Sequence, residues 1–291
     1  MTNVLTLVAN RAAGPLSPGL IAAVRDATGG GAPAILSPGE AVDIPVSAAP
    51  DRDAIRAALG AAPVDAIATQ AATRRKRLLI ADMDSTIITG ETLDELADFA
   101  GLKDRIAAIT ARAMNGELDF KDALRERVAM LKGLPVDALE QTWARIELTG
   151  GARELVATMR AQGAFTALVS GGFTFFTGRV AALVGFHMHR SNVLLDDGTV
   201  LTGTVAEPIL DRDAKRESLL RLSGEHGLTP DDTLAVGDGA NDLDMLRAAG
   251  LGVAFHAKPI VAAAAQARID HADLRALLFA QGYPASAFVT P

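Results

Sequence analysis

Leu78-Leu79-Ile80-Ala81-Asp82-Met83-Asp84-Ser85-Thr86 is the stretch that decides how this chain is read. Four apolar residues stand in a row without polar alternation, as in a strand buried on both faces of a parallel sheet. The run stops abruptly at two carboxylates spaced two apart. Residues 164–169 and 233–236 have the same form, and 251–254 make a fourth such run. The second is followed by Ser170-Gly171-Gly172 and the third by Gly237-Asp238-Gly239-Ala240-Asn241-Asp242. Helical segments lie between the runs, so the expected class is α/β with a doubly wound parallel sheet. In such sheets ligands bind beyond the carboxyl ends of the strands, which is where these polar stretches fall.

Paired carboxylates can divide roles, one ionised as nucleophile and one neutral enough to donate a proton, so Asp82 and Asp84 are candidate catalytic residues. A calcium loop beginning at Asp82 would need Gly at its sixth position and Glu at its twelfth. Ile87 and Leu93 stand there, which leaves a plain acidic turn as the blander alternative. In Ser170-Gly171-Gly172 a hydroxyl precedes two glycines, which lets backbone N–H groups approach an anion. Alone it is an ordinary turn, and the following residues do not make a P-loop. Lys215, taken by itself, is a solvated charge near a helix start. The 237–242 stretch imitates a dinucleotide fingerprint, but Asp242 at its last position would repel a pyrophosphate. Magnesium takes hard oxygen ligands and usually one or two carboxylates, and Asp82 and Asp238 are suited to supply them.

Outside these motifs the chain divides. Residues 1–74 read as a small βαββαβ module: strands at 4–9, 33–36, 41–46 and 64–68, helices at 17–27 and 51–59, with Ser17 as N-cap and Pro18 in the first turn. Arg74-Arg75-Lys76-Arg77 marks the boundary and reads as a solvated linker. Residues 75–291 hold the α/β pattern. It is interrupted directly after the first core strand by a helical block, about 92–148, with breaks near Gly101, Asn115-Gly116 and Gly133-Leu134-Pro135. The position suits a cap over the site. Asp197-Gly198 marks a hairpin turn, and residues 259–267 read as a packed Ala-rich helix.

The 291 residues are 49% hydrophobic, enough for a large core, and the net charge of −7 argues against a nucleic-acid partner. Only 4% of residues are aromatic, which also disfavours base stacking. Cysteine is absent, which excludes disulfides, thiolate metal sites and a cysteine nucleophile. No apolar run reaches about 18 residues and the first ten residues lack signal-peptide features, so neither a membrane span nor export is expected.

Taken together, the motifs resemble the haloacid dehalogenase superfamily of phosphatases and, more narrowly, the phosphoserine phosphatases of bacterial serine biosynthesis. The matching residues are Asp82-Met83-Asp84-Ser85-Thr86 with Glu91, Ser170-Gly171-Gly172-Phe173, Lys215, Gly237 through Asp242, and the cap stretch from Phe120 to Val128. The resemblance implies a cytoplasmic enzyme with a helical cap and an aspartyl-phosphate intermediate on Asp82. In it Asp84 is the general acid and base, and Mg2+ sits on Asp82, the Asp84 carbonyl and Asp238. Ser170, Gly171, Lys215 and Asn241 lie at the phosphate end, braced by Asp242. It further implies that Glu91 reads the substrate ammonium and Arg127 its carboxylate, with Met114 and Phe120 closing the cap. Without the family, Arg127 is an ordinary exposed helix arginine beside Arg125. Residues 1–74 stand where relatives carry an ACT-like regulatory module, which implies an amino-acid effector and a homodimer. The alternatives are the same chemistry on another small phosphomonoester, and a non-catalytic effector-binding protein.

Overall fold

The computed structural model of the protein describes residues 2–290. Its N-terminal sheet is built from β1 (Asn3–Ala9), β2 (Ala34–Ser37), β3 (Ala41–Val46) and β4 (Val64–Gln70), all antiparallel, in the order β2-β3-β1-β4. Helices α1 (Pro18–Ala27) and α2 (Arg52–Leu59) cross over between strands. Ser17 caps α1 by accepting from the Leu20 N–H at 3.2 Å, and Asp51 caps α2. The order is that of a ferredoxin-like βαββαβ unit. Leu5, Leu7, Val24 and Ile44 form the apolar layer beneath the helices, whereas Val8, Ala41 and Ile67 join the main core on the other face. Strand β1 is therefore buried on both sides, which explains why its apolar run is interrupted only by Thr6, whose hydroxyl donates to Asp43.

The second sheet has six parallel strands, β5 (Leu78–Ala81), β6 (Phe165–Phe173), β7 (Met188–Asn192), β10 (Thr233–Gly237), β11 (Leu251–Phe255) and β12 (Ala267–Ile269). Their order is β12-β11-β10-β5-β6-β7, so the chain winds outward from β5 first one way and then the other. All four residues of β5 and all five of β10 and β11 are buried. Burial of each large side chain contributes roughly 1.5–3 kcal/mol, which makes these three strands the centre of the fold. The hairpin of β8 (Leu194–Asp196) and β9 (Leu201–Val205) turns at Asp197-Gly198 as expected.

The cap comprises α3 (Thr92–Asp98), α4 (Lys103–Met114), α5 (Phe120–Ala129) and α6 (Asp137–Trp143), and it ends where the expected glycine breaks fall. Behind and beside the sheet lie α7 (Ala152–Ala161), α8 (Thr174–Val184), α9 (Arg212–Glu225), α10 (Leu243–Ala248), α11 (Pro259–Ala264) and α12 (Ala276–Ala280). Among the described residues no helix is long and apolar enough to cross a membrane.

Three local expectations need correction. The basic run is not a solvated linker. Lys76 is buried and its Nζ donates to the Asp231 carbonyl at 2.6 Å, Arg74 pairs with Asp43 at 2.6 Å, and the Arg75 guanidinium stacks on the Tyr283 ring. These long side chains cover apolar surface while their charges reach partners across the seam. The helix read over 259–267 ends at Ala264, because Ala267 begins an edge strand that pairs with Val253, and sheet pairing outweighs alanine's helix preference. Strand β6 runs on through Ser170-Gly171-Gly172 to Phe173, which pairs with Asn192 after a register shift. The site glycines thus lie within a strand.

Candidate active site

The site begins where β5 ends. The Asp82 N–H still donates to the Val236 carbonyl of β10, at 3.0 Å, so the adjacent strand fixes the backbone of the first carboxylate. The chain then makes a wide turn closed by Ile88 N–H to Met83 O at 3.0 Å. Within it Asp84 is extended, and Ser85 adopts a left-handed conformation with φ 53°. Such strain in a non-glycine residue persists only where the surroundings enforce it. Here it turns the chain back so that the Ser85 N–H meets the Gly90 carbonyl and the Thr92 N–H reaches Asp84, while Asp82 and Asp84 line one cavity.

Lys215 organises the floor. Asp211 caps α9 by accepting from Ala214 N–H at 3.1 Å, which starts the helix beside the sheet and sends Lys215 inward. Its fully buried ammonium lies 2.9 Å from Asp82 Oδ1 and 2.6 Å from Asp242 Oδ1. Burial alone would depress this lysine, but Asp242 and Asp82 outweigh it and hold the ammonium above its ordinary value. Asp82 Oδ1 also accepts from the Met83 N–H at 2.8 Å, and Asp242 Oδ2 from the Gly239 N–H at 3.1 Å. A Cβ on Gly237 would collide with Asp242, so the glycine permits that approach.

Asp82, Asp238 and Asp242, all buried, each bring a carboxylate oxygen within 4.8 Å of the others. Burial pushes Asp238 well up, reinforced by Asp242 and Asp82, and it pushes Asp242 up to about 7 with help from Asp82. Three carboxylates against one ammonium leave an excess of buried negative charge, and hard oxygen donors converge on it. This donor set fits a divalent cation. Asp242 is occupied by Lys215 and Gly239, Lys215 takes Asp82 Oδ1, and Asp238 Oδ1 accepts a long 3.5 Å bond from the Thr86 hydroxyl, so the oxygens most open to an ion are Asp82 Oδ2 and Asp238 Oδ2.

Asp84 stands on the opposite wall. Its Oδ1 accepts from the Thr92 N–H at 2.8 Å, and its Oδ2 lies 3.5 Å from Ser170 Oγ. Burial pushes Asp84 up to about 6; the charge of Asp82 adds to this and the Thr92 bond opposes it. Ser170 Oγ accepts from the Gly172 N–H at 2.9 Å. A Cβ on Gly172 would come within 2.7 Å of Asp84 Oδ2, and one on Gly171 within 2.7 Å of the Phe120 ring. Both glycines are there for close approach. Asn241 Oδ1 is buried with no hydrogen-bond partner among the described residues, an acceptor left for something else to satisfy.

The cap supplies the other wall. Glu91 accepts from Ser85 Oγ at 2.6 Å, and burial, then Asp84 and Asp238, hold its carboxyl well above the usual range. A ligand cation beside it would relieve that repulsion. Arg127 is buried whereas Arg125, two residues away, is exposed, so these two arginines of one helix have different environments. Phe120 and Leu124 line the cavity beside Arg127, and the side chain of Met114 lies outside the described residues.

Asp82, Asp84, Glu91, Arg127, Ser170, Gly171 and Asn241 therefore face one cavity, with Lys215 and Asp238 directly behind its floor. Sequence reasoning assigned Asp242 a bracing place and missed its bond to Lys215. It also missed Thr92 and Thr110, which line the same cavity. A threonine inside a helical pattern carries no signal of its own.

The haloacid dehalogenase-like hydrolase family model matches residues 79–247. The chain is 43% identical over 212 residues to a phosphoserine phosphatase of Archaeoglobus fulgidus; the alignment covers 73% of this chain and 62% of that one. A solved structure described as a phospho-aspartyl intermediate analogue of phosphoserine phosphatase matches with TM-score 0.67 and 40% identity over 70% of this chain and 98% of that one. The probable phosphoserine phosphatase of Vibrio cholerae matches at TM-score 0.78 and 33% identity, over 98% of this chain and 88% of that one. With carboxylates, lysine and glycines converging at the ends of β5, β6 and β10, these likenesses place the chain in the haloacid dehalogenase-like hydrolase family.

Proposed function

We propose that the protein is a magnesium-dependent phosphoserine phosphatase, hydrolysing O-phospho-L-serine to L-serine and phosphate through an aspartyl phosphate on Asp82. The observation that carries the reading is the asymmetry of the two carboxylates. Asp82 is held by a buried ammonium 2.9 Å away, while Asp84, facing the same cavity, is pushed up to about 6. One is arranged to attack and the other to carry a proton.

In the first half-reaction the Asp82 carboxylate attacks phosphorus in line, the bond to the serine oxygen breaks, and Asp84 passes its proton to that oxygen. In the second, Asp84 takes a proton from the water that attacks the aspartyl phosphate, and phosphate leaves with Asp82 restored. Lys215, the Ser170 hydroxyl, the Gly171 N–H and Asn241 hold phosphate oxygens. Magnesium, held by Asp82, the Asp84 carbonyl and Asp238, would offset the repulsion between carboxylate and phosphate. Glu91 receives the substrate ammonium and Arg127 its carboxylate, which a guanidinium can engage with two parallel bonds. The names of the relatives support the same substrate.

The reading extends to the rest of the chain. Residues 75–291 form the phosphatase domain, with a cap at about 92–148, and residues 1–74 an ACT-like regulatory domain. A cavity of about 660 Å³ between them is lined by Arg11, Glu40, His256, Asp273 and the strained Ser85, and it suits a small amino-acid effector beside the Asp84 turn. A homodimer through the edge strand β2, where Ile35 is 71% exposed, fits such a module. The activity belongs to the last step of serine biosynthesis, in the cytoplasm.

The test is phosphate release from L-phosphoserine and a panel of other phosphomonoesters, with and without EDTA, for wild type and Asp82→Asn. Preference for phosphoserine, abolished by EDTA and by the substitution, is the expected result. Metal-dependent release from a different ester would replace the substrate and retain the chemistry. No release by folded protein would overturn the enzyme reading.

A further inference from the structure

Arg127 is buried, yet no carboxylate lies within ion-pair distance of it among the described residues. Its Nε donates to the Ala123 carbonyl at 3.0 Å, one turn back on α5, and its Nη1 donates to Thr110 Oγ1 at 2.9 Å. The Thr110 hydroxyl has one proton. Because it accepts from Arg127, that proton goes elsewhere; of its two acceptors in reach, Asp94 Oδ1 at 2.7 Å is nearer and charged, and the Ile106 carbonyl of the same helix lies at 3.1 Å. The chain of bonds therefore runs Arg127 to Thr110 to Asp94, across helices α5, α4 and α3.

This arrangement has a chemical consequence. A carboxylate placed directly on Arg127 would fill the guanidinium fork and compete with any anionic ligand. A hydroxyl between them passes on the negative charge of Asp94, eases the cost of burying the guanidinium, and leaves the Nη2 side of the fork without a protein hydrogen bond among the described residues. Thr110 and Arg127 both line the cavity, so that open side has a ligand-accessible volume beside it.

We propose that Thr110 and Asp94 are positioning residues which orient Arg127 for the carboxylate of an amino-acid phosphoester, and so set specificity from within the cap. The proposal rests on the reading of Arg127 as the carboxylate-binding group. None of the motifs that mark the phosphate end includes either residue. Their effect falls on the substrate's amino-acid end only. Phosphoethanolamine, which keeps the phosphate and ammonium and lacks the carboxylate, is the natural control substrate.

The experiment compares wild type, Thr110→Val, Thr110→Ser, Asp94→Asn and Arg127→Ala on L-phosphoserine and on phosphoethanolamine. Loss of one hydrogen bond to a charged group predicts a roughly tenfold rise in KM for phosphoserine in Thr110→Val, with kcat within about twofold of wild type. Thr110→Ser, which restores the hydroxyl, returns KM to near wild type, and Asp94→Asn lies between. Constants for phosphoethanolamine stay unchanged in the Thr110 and Asp94 variants, which also shows that each of them folds. An unchanged KM in Thr110→Val, or equal losses on both substrates, overturns the proposal. If Arg127→Ala raises the phosphoserine KM while Thr110→Val does not, only the proposal falls. If Arg127→Ala fails to discriminate between the substrates, the carboxylate reading falls, and the proposal with it.

Discussion

The floor and the cap wall of the site solve the burial of charge in opposite ways. The floor crowds like charges together, with Asp82, Asp238 and Asp242 around a single Lys215. Its groups are fixed by strand ends and by glycines that admit no side chain. The wall isolates one guanidinium and supports it with neutral acceptors, keeping the nearest carboxylate one hydroxyl away. A crowded floor carries an excess of buried carboxylates that a divalent cation would offset. An isolated, braced guanidinium with one open side is suited to an anionic ligand.

The largest effect that can break this comparison is at Lys215. Lys215→Met leaves Asp82 and Asp242 buried without their cation. We expect phosphate release to fall on the order of a thousandfold. Stability should drop by about 3 kcal/mol or more, read from the urea midpoint. A variant of near-native activity would mean that the lysine is only a structural pair.

The next effect concerns that excess itself. Asp84 and Asp242 are pushed up to about 6 and about 7, so between the ordinary aspartate range and neutrality the folded chain holds protons that the unfolded chain has lost. The stability these groups contribute is full below the unfolded value and is lost as pH rises through the folded values. In EDTA the unfolding free energy should therefore decline by on the order of a few kcal/mol between about pH 4 and pH 8, and saturating magnesium should flatten the decline. A flat profile in EDTA would show that the floor carries no excess charge.

The smallest effect is at the seam. Lys121 pairs with Asp211 at 2.7 Å and Arg125 with Glu207 at 2.9 Å, tying helix α5 of the cap to the segment that leads into α9. Both cations are substantially exposed, so Lys121→Ala or Arg125→Ala should cost less than about 1 kcal/mol and shift KM by no more than about threefold. A larger change in KM would make these surface pairs a latch on cap closure, joining wall and floor more tightly than their exposure indicates.

The floor was far more legible in the sequence than the wall. Asp82, Asp84, Asp238 and the 170–172 glycines follow directly on apolar runs, and a strand end puts a short polar motif at one predictable place. Lys215 could not be placed by that logic, since its inward course depends on the Asp211 cap and on the tilt of α9 against the sheet. Arg127 and Arg125 look alike in the chain, and only packing against α4 buries the first and leaves the second in water. Strands β7 and β12 were missed for a related reason. As edge strands, Met188–Asn192 and Ala267–Ile269 need no continuous apolar run and owe their form to a neighbour's free hydrogen bonds.

The sequence by itself determined the alternation of buried strands and helices, the inserted cap, the βαββαβ order at the N-terminus and the place of the paired carboxylates Asp82 and Asp84 at a strand end. These are set by local periodicity and by residue chemistry at strand ends. The tertiary structure alone decided the pairing of Lys215 with Asp82 and Asp242, the left-handed turn at Ser85, the welding of the basic run to both sheets, and the line from Arg127 through Thr110 to Asp94. Each joins residues distant in the chain or demands a conformation that no local preference favours. The pairings that offset the cost of burying these charges exist only in the assembled fold.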